Sequence, residues 1–253
     1  MGVPTLAIDG HRATIELQRP DKRNRIEPDD LVELTALFDR IAAAPDVRVV
    51  VLRATGPIFC AGFHLGALAE GTRPPVSFGE MCDRLASLPM PVIAQIEGGI
   101  HGGGTDLALS CDFRIAADDI ELVMPAARLG LQYYASGLQR FVARIGPSAS
   151  KRLVLTALPA DAPLLLRVGY LDEIHPRWAI PARVDELAAA VSALGPEAVS
   201  RTKAVINGLA DGSMTVEQAD ESARASMRSA EHREGVRAMA EKRPPQFAPS
   251  TLR

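Results

Sequence analysis

Cysteine is scarce and long apolar runs are missing from this chain of 253 residues. The three cysteines, Cys60, Cys82 and Cys111, leave one thiol unpaired in any disulfide scheme, and their separations do not fit a metal site. A reduced, cytoplasmic setting is therefore expected. No apolar run approaches the length that spans a membrane, and residues 1–10 lack a basic region followed by an apolar core. We expect neither secretion nor membrane insertion.

An excess of charge of either sign is also missing. The chain has 28 basic and 31 acidic residues, for a net charge of −3, and no basic stripe interleaved with aromatic residues. Nucleic acid is therefore not expected as a partner. With 47% hydrophobic and 23% charged residues, the composition is typical of a globular protein with enough material for one large core or for a core plus an appendage.

Glycine is concentrated in one stretch. Residues 98–106 read Gly-Gly-Ile-His-Gly-Gly-Gly-Thr-Asp, after an apolar run at 92–96 and before Leu107-Ala108-Leu109. This order predicts a buried strand, a tight turn and the start of a helix. Glycines let a bound group approach the backbone closely, and the first amides of a helix are unpaired and lie at its positive end. Such a stretch can bind an anion, although a glycine cluster alone is more often a packed turn.

A second stretch favours the anion site over the packed turn. Residues 57–65 read Pro-Ile-Phe-Cys-Ala-Gly-Phe-His-Leu and follow an apolar run at 48–53. The two stretches together resemble the paired signature of the crotonase superfamily, the enoyl-CoA hydratases and isomerases. Further segments resemble the family in the same order, at residues 19–24, 45–52, 110–116 and 241–247. The resemblance therefore covers nearly the whole chain.

The fold expected from the pattern is α/β. Apolar periodicity predicts strands at 6–8, 13–17, 47–52, 92–96, 113–116 and 122–124, and the first two, which flank Gly10-His11-Arg12, are expected to form a hairpin. It predicts helices at 29–43, where apolar residues recur at helical spacing, and at 77–85, where Ser77 and Glu80 have the spacing of a capping box. Further helices are predicted at 136–144 and 148–156, and then at 181–194, 196–209, 215–230 and 231–242. The resemblance implies a crotonase-like spiral core of ββα units at 1–195 that binds acyl-CoA. It also implies a C-terminal helical trimerisation region at 196–253, and thus a homotrimer or a dimer of trimers.

The resemblance implies an oxyanion hole for a thioester. Its two donors are the backbone amides of Phe63 and Gly103, which would stabilise negative charge on the carbonyl oxygen. Loss of one such donor typically raises the barrier by about 3 to 4 kcal/mol. Because the donors belong to the main chain, the phenylalanine at position 63, where relatives frequently have alanine, leaves the hole intact and narrows the pocket beside it.

The acid positions depart from the best-known members, which hold a water between two glutamates. Those positions are Asp106 and Ala126 here, so one acid is shortened by about 1.5 Å and the other is missing. A displacement of about 1 Å can lower a rate on the order of a hundredfold, which argues against standard two-glutamate hydration. Asp106 remains as a single general base or water-orienting group. Its alternative role is a first-turn acid that complements the helix dipole.

Other residues are predicted to bind substrate. By resemblance, Arg23 contacts the phosphates of coenzyme A and Lys242 contacts coenzyme A from the C-terminal end; the alternatives are a solvated loop and an ordinary helix end. Ala61 belongs to the first oxyanion segment, and Tyr133 and Tyr134 are expected to form a pocket wall with hydroxyl groups.

Two histidines lie beside the oxyanion segments. His64 and His101 could each supply a second proton site, because histidine titrates near neutral pH, although either is more often structural. Asp112 matches a structural position of the family.

The first function hypothesis is an acyl-CoA enzyme in which an enolate forms and Asp106 moves protons. It needs no cofactor other than the coenzyme A of its substrate. A thioester hydrolase or carbon–carbon lyase belongs to the same class. The alternative from another class is an acyl-CoA-binding protein without chemistry, which the alanine at position 126 favours. An unrelated structural α/β domain would require all the motif matches to be accidental.

Overall fold

Two β-sheets lie at the centre of the fold in the computed structural model, which describes residues 2–69, 71 and 73–250. The strands are β1 (Thr5–Asp9), β2 (Arg12–Leu17), β3 (Val49–Ala54), β4 (Ile58–Cys60), β5 (Val92–Ile96), β6 (Gly99–His101), β7 (Phe113–Ala117), β8 (Glu121–Val123), β9 (Ala160–Asp161) and β10 (Glu173–His175). The helices are α1 (Pro28–Ala43), α2 (Leu65–Ala69), α3 (Phe78–Ala86), α4 (Gly104–Leu109), α5 (Ala135–Thr156), α6 (Ala162–Arg167), α7 (Ile180–Ser192), α8 (Pro196–Asp211), α9 (Val216–Met227) and α10 (Ala230–Ala240). The expected mixed α/β fold is confirmed.

The larger sheet has the strand order β1-β2-β3-β5-β7-β10 in the described part of the chain. The predicted hairpin of β1 and β2 is present, and the other neighbours pair in parallel. Strand β5 is buried along its whole length, and β3 along its first four residues. Such continuous burial is typical of parallel strands that are covered on both faces.

The smaller sheet, in the order β4-β6-β8-β9, carries both glycine-bearing turns. Strands β4 and β6 pair in parallel, so the turns that follow them lie at the same edge of the sheet. Strand β6 lies inside the stretch for which we expected only a turn. Gly98 permits this arrangement, because a β-carbon there would lie 2.3 Å from the carbonyl oxygen of Pro57.

Local sequence signals placed several helices correctly. In α1 the apolar face is buried, as its spacing predicted. Helix α3 begins with the predicted capping box: the amide of Glu80 donates to Ser77 Oγ at 3.1 Å, and the amide of Ser77 donates to Glu80 Oε2 at 2.7 Å. Helix α5 is interrupted at Gly146, whose φ is 71°, where the sequence predicted two helices.

The C-terminal part of the chain is helical, as expected. Lys203 in α8 ties this region to the core, because its Nζ donates to Asp112 Oδ2 at 2.6 Å and to the carbonyl of Met90 at 3.0 Å. The predicted boundary at residue 195 lies between α7 and α8 and stays a prediction, as does trimer formation. No helix in the described ranges combines the length and apolar character needed to cross a membrane.

Candidate active site

The two glycine-bearing turns are in direct contact. Gly62 has a φ of 81°, and a β-carbon on it would lie 2.3 Å from the amide nitrogen of Gly103. A β-carbon on Gly104 would lie 2.3 Å from the carbonyl oxygen of Cys60. Only glycine allows the backbones to approach this closely, and Gly62 also needs the positive φ. The sequence therefore folds the two segments against each other without side chains between them.

Two unpaired amides flank this contact. The amide of Ile26 donates to the carbonyl of Gly62 at 2.8 Å, and the amide of His64 donates to the carbonyl of Ile26 at 2.9 Å. This parallel bridge leaves the amide of Phe63 outside the pairing. Among the described residues, neither Phe63 nor Gly103 donates its amide to any acceptor. Both residues are partly exposed, so a bound group can reach this part of the backbone.

An aromatic wall covers the two turns. The ring centroids of Phe63 and Phe78 lie 6.4 Å apart. The Phe78 ring also packs over Gly103, where a β-carbon would meet its Cζ atom at 2.9 Å. The start of α3 thus closes one side of the turns with apolar surface.

Asp106 is fully buried one turn after Gly103. Its Oδ1 accepts a hydrogen bond from Arg140 Nε at 2.8 Å, and its Oδ2 accepts one from Arg140 Nη2 at 2.6 Å. The Tyr134 hydroxyl also donates to Oδ2, and Arg140 forms a further ion pair with Asp83. Burial works to lower the pKa of Arg140, but the hydrogen bonds to Asp106, the charge of Asp106 and the hydrogen bond to Asp83 together raise this pKa above its usual value. Arg140 therefore remains a cation beside the carboxylate.

The predicted tyrosine wall joins the same cluster. The hydroxyl of Tyr133 donates to that of Tyr134 at 3.1 Å, and the ring centroids lie 4.2 Å apart. Burial is the main cause that raises the pKa of both phenols, and the charge of Asp106 adds to it. Both hydroxyls therefore stay protonated. The structure brings together Asp106, Tyr133 and Tyr134, and adds Arg140, which the sequence analysis missed.

The two histidines lie in other surroundings. His64 Nδ1 lies 2.6 Å from Glu27 Oε2 at the start of α1. Burial works to raise the pKa of Glu27, but hydrogen bonds from Arg25 and His64 lower it below its usual value. Burial lowers the pKa of His101, and the nearby charge of Arg23 lowers it further. In the described part of the chain, no recorded contact joins either histidine to Asp106.

The residues expected at coenzyme A are exposed. Arg23 adopts a left-handed conformation with φ 55°, and its carbonyl accepts a hydrogen bond from the amide of Ala61 at 3.0 Å. The Arg23 loop is therefore tied to the first oxyanion segment. Lys242 follows α10 with φ 54° and is also exposed.

The second acid position of the family is Ala126 in this chain, so it provides no acid. This alanine is buried in a short 3₁₀ turn at Ala126–Leu129.

Comparison with known proteins gives a consistent result. Residues 9–250 match the family model described as Enoyl-CoA hydratase/isomerase. The chain is 34% identical over 205 residues to the enoyl-CoA isomerase/hydratase fer4 of Mycosarcoma maydis, covering 76% of this chain and 75% of that protein. It is 30% identical over 255 residues to the carnitinyl-CoA dehydratase of Proteus mirabilis (strain HI4320), covering 96% and 97% of the two chains.

Solved structures match the fold as well. The crystal structure of an enoyl-CoA hydratase from Bacillus anthracis superposes with a TM-score of 0.89 at 29% sequence identity, covering 97% of this chain and 99% of that chain. The resemblance seen in the sequence motifs is therefore confirmed over nearly the whole chain.

Proposed function

The chain belongs to the enoyl-CoA hydratase/isomerase family and is an acyl-CoA-processing enzyme of that family. We propose that it adds water reversibly to a 2-enoyl-CoA. The thioester oxygen of a 2-enoyl-CoA binds between the amides of Phe63 and Gly103, and Asp106 is the acid/base group. The observation that carries the proposal is the contact of the two glycine turns with both amides unpaired among the described residues.

The two amides stabilise the negative charge that develops on the thioester oxygen during the reaction. When a nucleophile adds to the β-carbon, the electron pair of the double bond moves toward the thioester oxygen and forms an enolate. Amides that already point at this oxygen need no reorganisation, and each such donor contributes about 3 to 4 kcal/mol to the lowering of the barrier. The helix start at Gly104 adds a favourable dipole for the same charge.

The proton chemistry rests on one carboxylate. Asp106 follows Gly103 by one helical turn, and the second family position is Ala126. A single group can take the proton of water and later return it at the α-carbon, which gives reversible hydration without a second acid. The dehydratase of Proteus mirabilis named above supports the choice of addition and removal of water over a shift of the double bond.

Coenzyme A is proposed to bind through its phosphates to Arg23. A guanidinium carries several donors in a plane that suits phosphate oxygens. The bond between the Arg23 carbonyl and the Ala61 amide supports this position, because it holds the loop beside the first oxyanion segment. The role of Lys242 rests on the resemblance alone.

A thioester panel tests the proposed function. Purified protein is incubated with 2-enoyl, 3-enoyl and saturated acyl-CoA substrates, and the products are identified by mass spectrometry. We expect water addition to 2-enoyl-CoA, and a decrease of about a hundredfold in kcat for Asp106→Asn, which is typical for loss of a general acid or base. Equal turnover by the wild-type protein and Asp106→Asn would show that this residue is not the acid/base group.

A second candidate is an acyl-CoA-binding protein without chemistry. Two observations favour it: Asp106 is fully buried with both oxygens already accepting hydrogen bonds, and position 126 has no acid. Such a protein would melt at a higher temperature with acyl-CoA, because a ligand that binds the folded state stabilises it, yet it would leave every thioester of the panel intact.

A further inference from the structure

The acid of the site is closed off from any molecule that enters. Asp106 has no exposed surface, and its two oxygens accept three hydrogen bonds, two from Arg140 and one from Tyr134. Because the carboxylate is fully buried behind these donors, a substrate water could reach it directly only if the surrounding side chains moved. The chemistry of the proposed function therefore needs a path to Asp106.

The tyrosine hydroxyls provide a continuous path. Tyr133 donates to Tyr134 at 3.1 Å, and Tyr134 donates to Asp106. Tyr133 is 8% exposed and Tyr134 is partly exposed, whereas Asp106 has no exposed surface. The Tyr133 oxygen donates its one proton to Tyr134, and its lone pairs are available to accept a hydrogen bond from water.

We propose that the Tyr133 and Tyr134 hydroxyls relay protons between the substrate water and Asp106, and that Arg140 is the positioning residue that fixes the carboxylate. The relay rests on the proposed function, because it assigns the groups that serve the same reaction. It makes Tyr133 the group that touches the reacting water, while Asp106 stores the proton at the buried end.

The step balances in atoms and electrons. An O–H bond of water breaks as its oxygen bonds to the β-carbon, and the double-bond electrons move to the thioester oxygen. The released proton passes to Tyr133, the Tyr133 proton passes to Tyr134, and the Tyr134 proton passes to Asp106. In the second half the enolate electrons form a C–H bond at the α-carbon with a proton returned along the same chain. Substrate and water become a 3-hydroxyacyl thioester, and every side chain returns to its first state.

The surroundings suit such a relay. Burial raises the pKa values of both phenols and so disfavours a phenolate, which means that the protons must move along the two hydroxyls together. The two rings contact each other at a tilt of 33°, and Tyr134 also packs against Gly79, where a β-carbon would meet its Cε2 atom at 3.1 Å. These contacts restrict the movement of the two rings that carry the hydroxyl groups.

A double-mutant cycle tests the relay with 2-enoyl-CoA as the probe. Tyr134→Phe removes the hydroxyl and keeps the ring, and Asp106→Asn removes the acid. We expect each change to lower kcat by about a hundredfold, with KM within about threefold of wild type. Because both groups lie on one path, the double variant should be no slower than the slower single variant. Effects on kcat that multiply would overturn the relay.

Tyr170→Phe is the matched control. Its hydroxyl is buried and donates to the carbonyl of Thr105 at 2.7 Å, next to Asp106 but outside the relay. This variant should keep the wild-type kcat after correction for folded protein, which separates the relay from a general loss of packing.

A proton inventory gives a second readout that a structural role would not affect. Several protons move together along the relay, so a plot of kcat against the deuterium fraction of the solvent should be curved for the wild-type protein. A straight line would contradict the relay. If the wild-type protein turns over no thioester, the proposed function and the relay both fail; if it does and Tyr134→Phe keeps full kcat, the relay alone fails.

Discussion

The β-carbon that Gly62 lacks would lie 2.3 Å from the amide nitrogen of Gly103. The two residues belong to turns that follow neighbouring parallel strands, and each turn carries one of the unpaired amides. The geometry of the proposed oxyanion hole therefore depends on the absence of a side chain at this point.

Gly62→Ala should disrupt the hole. The new methyl group must push the Gly103 amide away, and a displacement of about 1 Å lowers rates on the order of a hundredfold. We expect at least that decrease in kcat/KM for 2-enoyl-CoA. Gly212→Ala is the matched control, because Gly212 has a similar φ of 76° with no atom within 4 Å of its built β-carbon. Similar losses in both variants would show that backbone strain alone is responsible.

Removal of Arg140 alone should destabilise the protein more than the replacement of both Asp106 and Arg140 by apolar residues. Arg140→Met leaves the buried Asp106 carboxylate without its cation, and breaking such a pair typically destabilises a protein by about 3 to 5 kcal/mol. The double change Asp106→Leu with Arg140→Met should recover much of this loss, since no unpaired charge remains. Urea unfolding measures both.

Arg84→Met provides the comparison for that prediction. Arg84 pairs with Asp39, but the two side chains are 45% and 56% exposed. Exposed pairs typically contribute about 0 to 1 kcal/mol, so this variant should unfold close to the wild-type midpoint. A small effect of Arg140→Met, equal to that of Arg84→Met, would mean that Asp106 does not depend on its cation.

Local sequence signals were sufficient for much of the fold. The capping residues Ser77 and Glu80, the break at Gly146 and the apolar face of α1 each act through neighbours in the chain, and each prediction is confirmed. The short strands β9 and β10 were missed, because each has at most three residues and gains its partner only through the tertiary fold.

The candidate site was predictable only in part. The glycine turns and Asp106 stand in recognisable motifs, but Arg140 lies 34 residues from Asp106 in sequence. A buried carboxylate indicates that a cation is needed, yet nothing in the sequence selects this arginine among the many in the chain. His64 stays a candidate second proton site, and its contact with Glu27, 37 residues away in sequence, is another pairing that the sequence does not select.

Arg23→Gln should weaken coenzyme A binding without slowing the chemistry. Loss of the guanidinium removes charge-assisted bonds to phosphate, so KM should rise about tenfold while kcat stays within about twofold. Lys22→Gln is the neighbouring control, since Lys22 lies 3.8 Å from Glu27 in an ion pair. An equal rise in KM for both variants would indicate a diffuse charge effect in place of a specific contact.

Glu173 should make stability depend on pH under acidic conditions. Hydrogen bonds from Arg183 are the main cause that lowers the pKa of Glu173 from 4.5 to about 2. Because this folded-state pKa lies below that of the unfolded chain, the carboxylate stabilises the fold above about pH 4.5, and the contribution is lost as the pH falls toward 2.

Glu173→Gln tests this dependence. The difference in unfolding free energy between wild type and variant should shrink as the pH falls from about 6 to about 3. Because the pair lies near the surface, we expect the difference at the higher pH to be only about 1 kcal/mol. A difference that stays constant with pH would mean that the Glu173 charge does not act on stability.

The carbonyl stretch of a bound thioester tests the oxyanion hole most directly. A saturated acyl-CoA labelled with carbon-13 at the thioester carbonyl cannot take up water, and infrared difference spectra report on that one bond. If the amides of Phe63 and Gly103 donate to the oxygen, the labelled band moves to lower frequency on binding, and Gly62→Ala removes the shift. A bound thioester with the frequency that it has in water would contradict the hole.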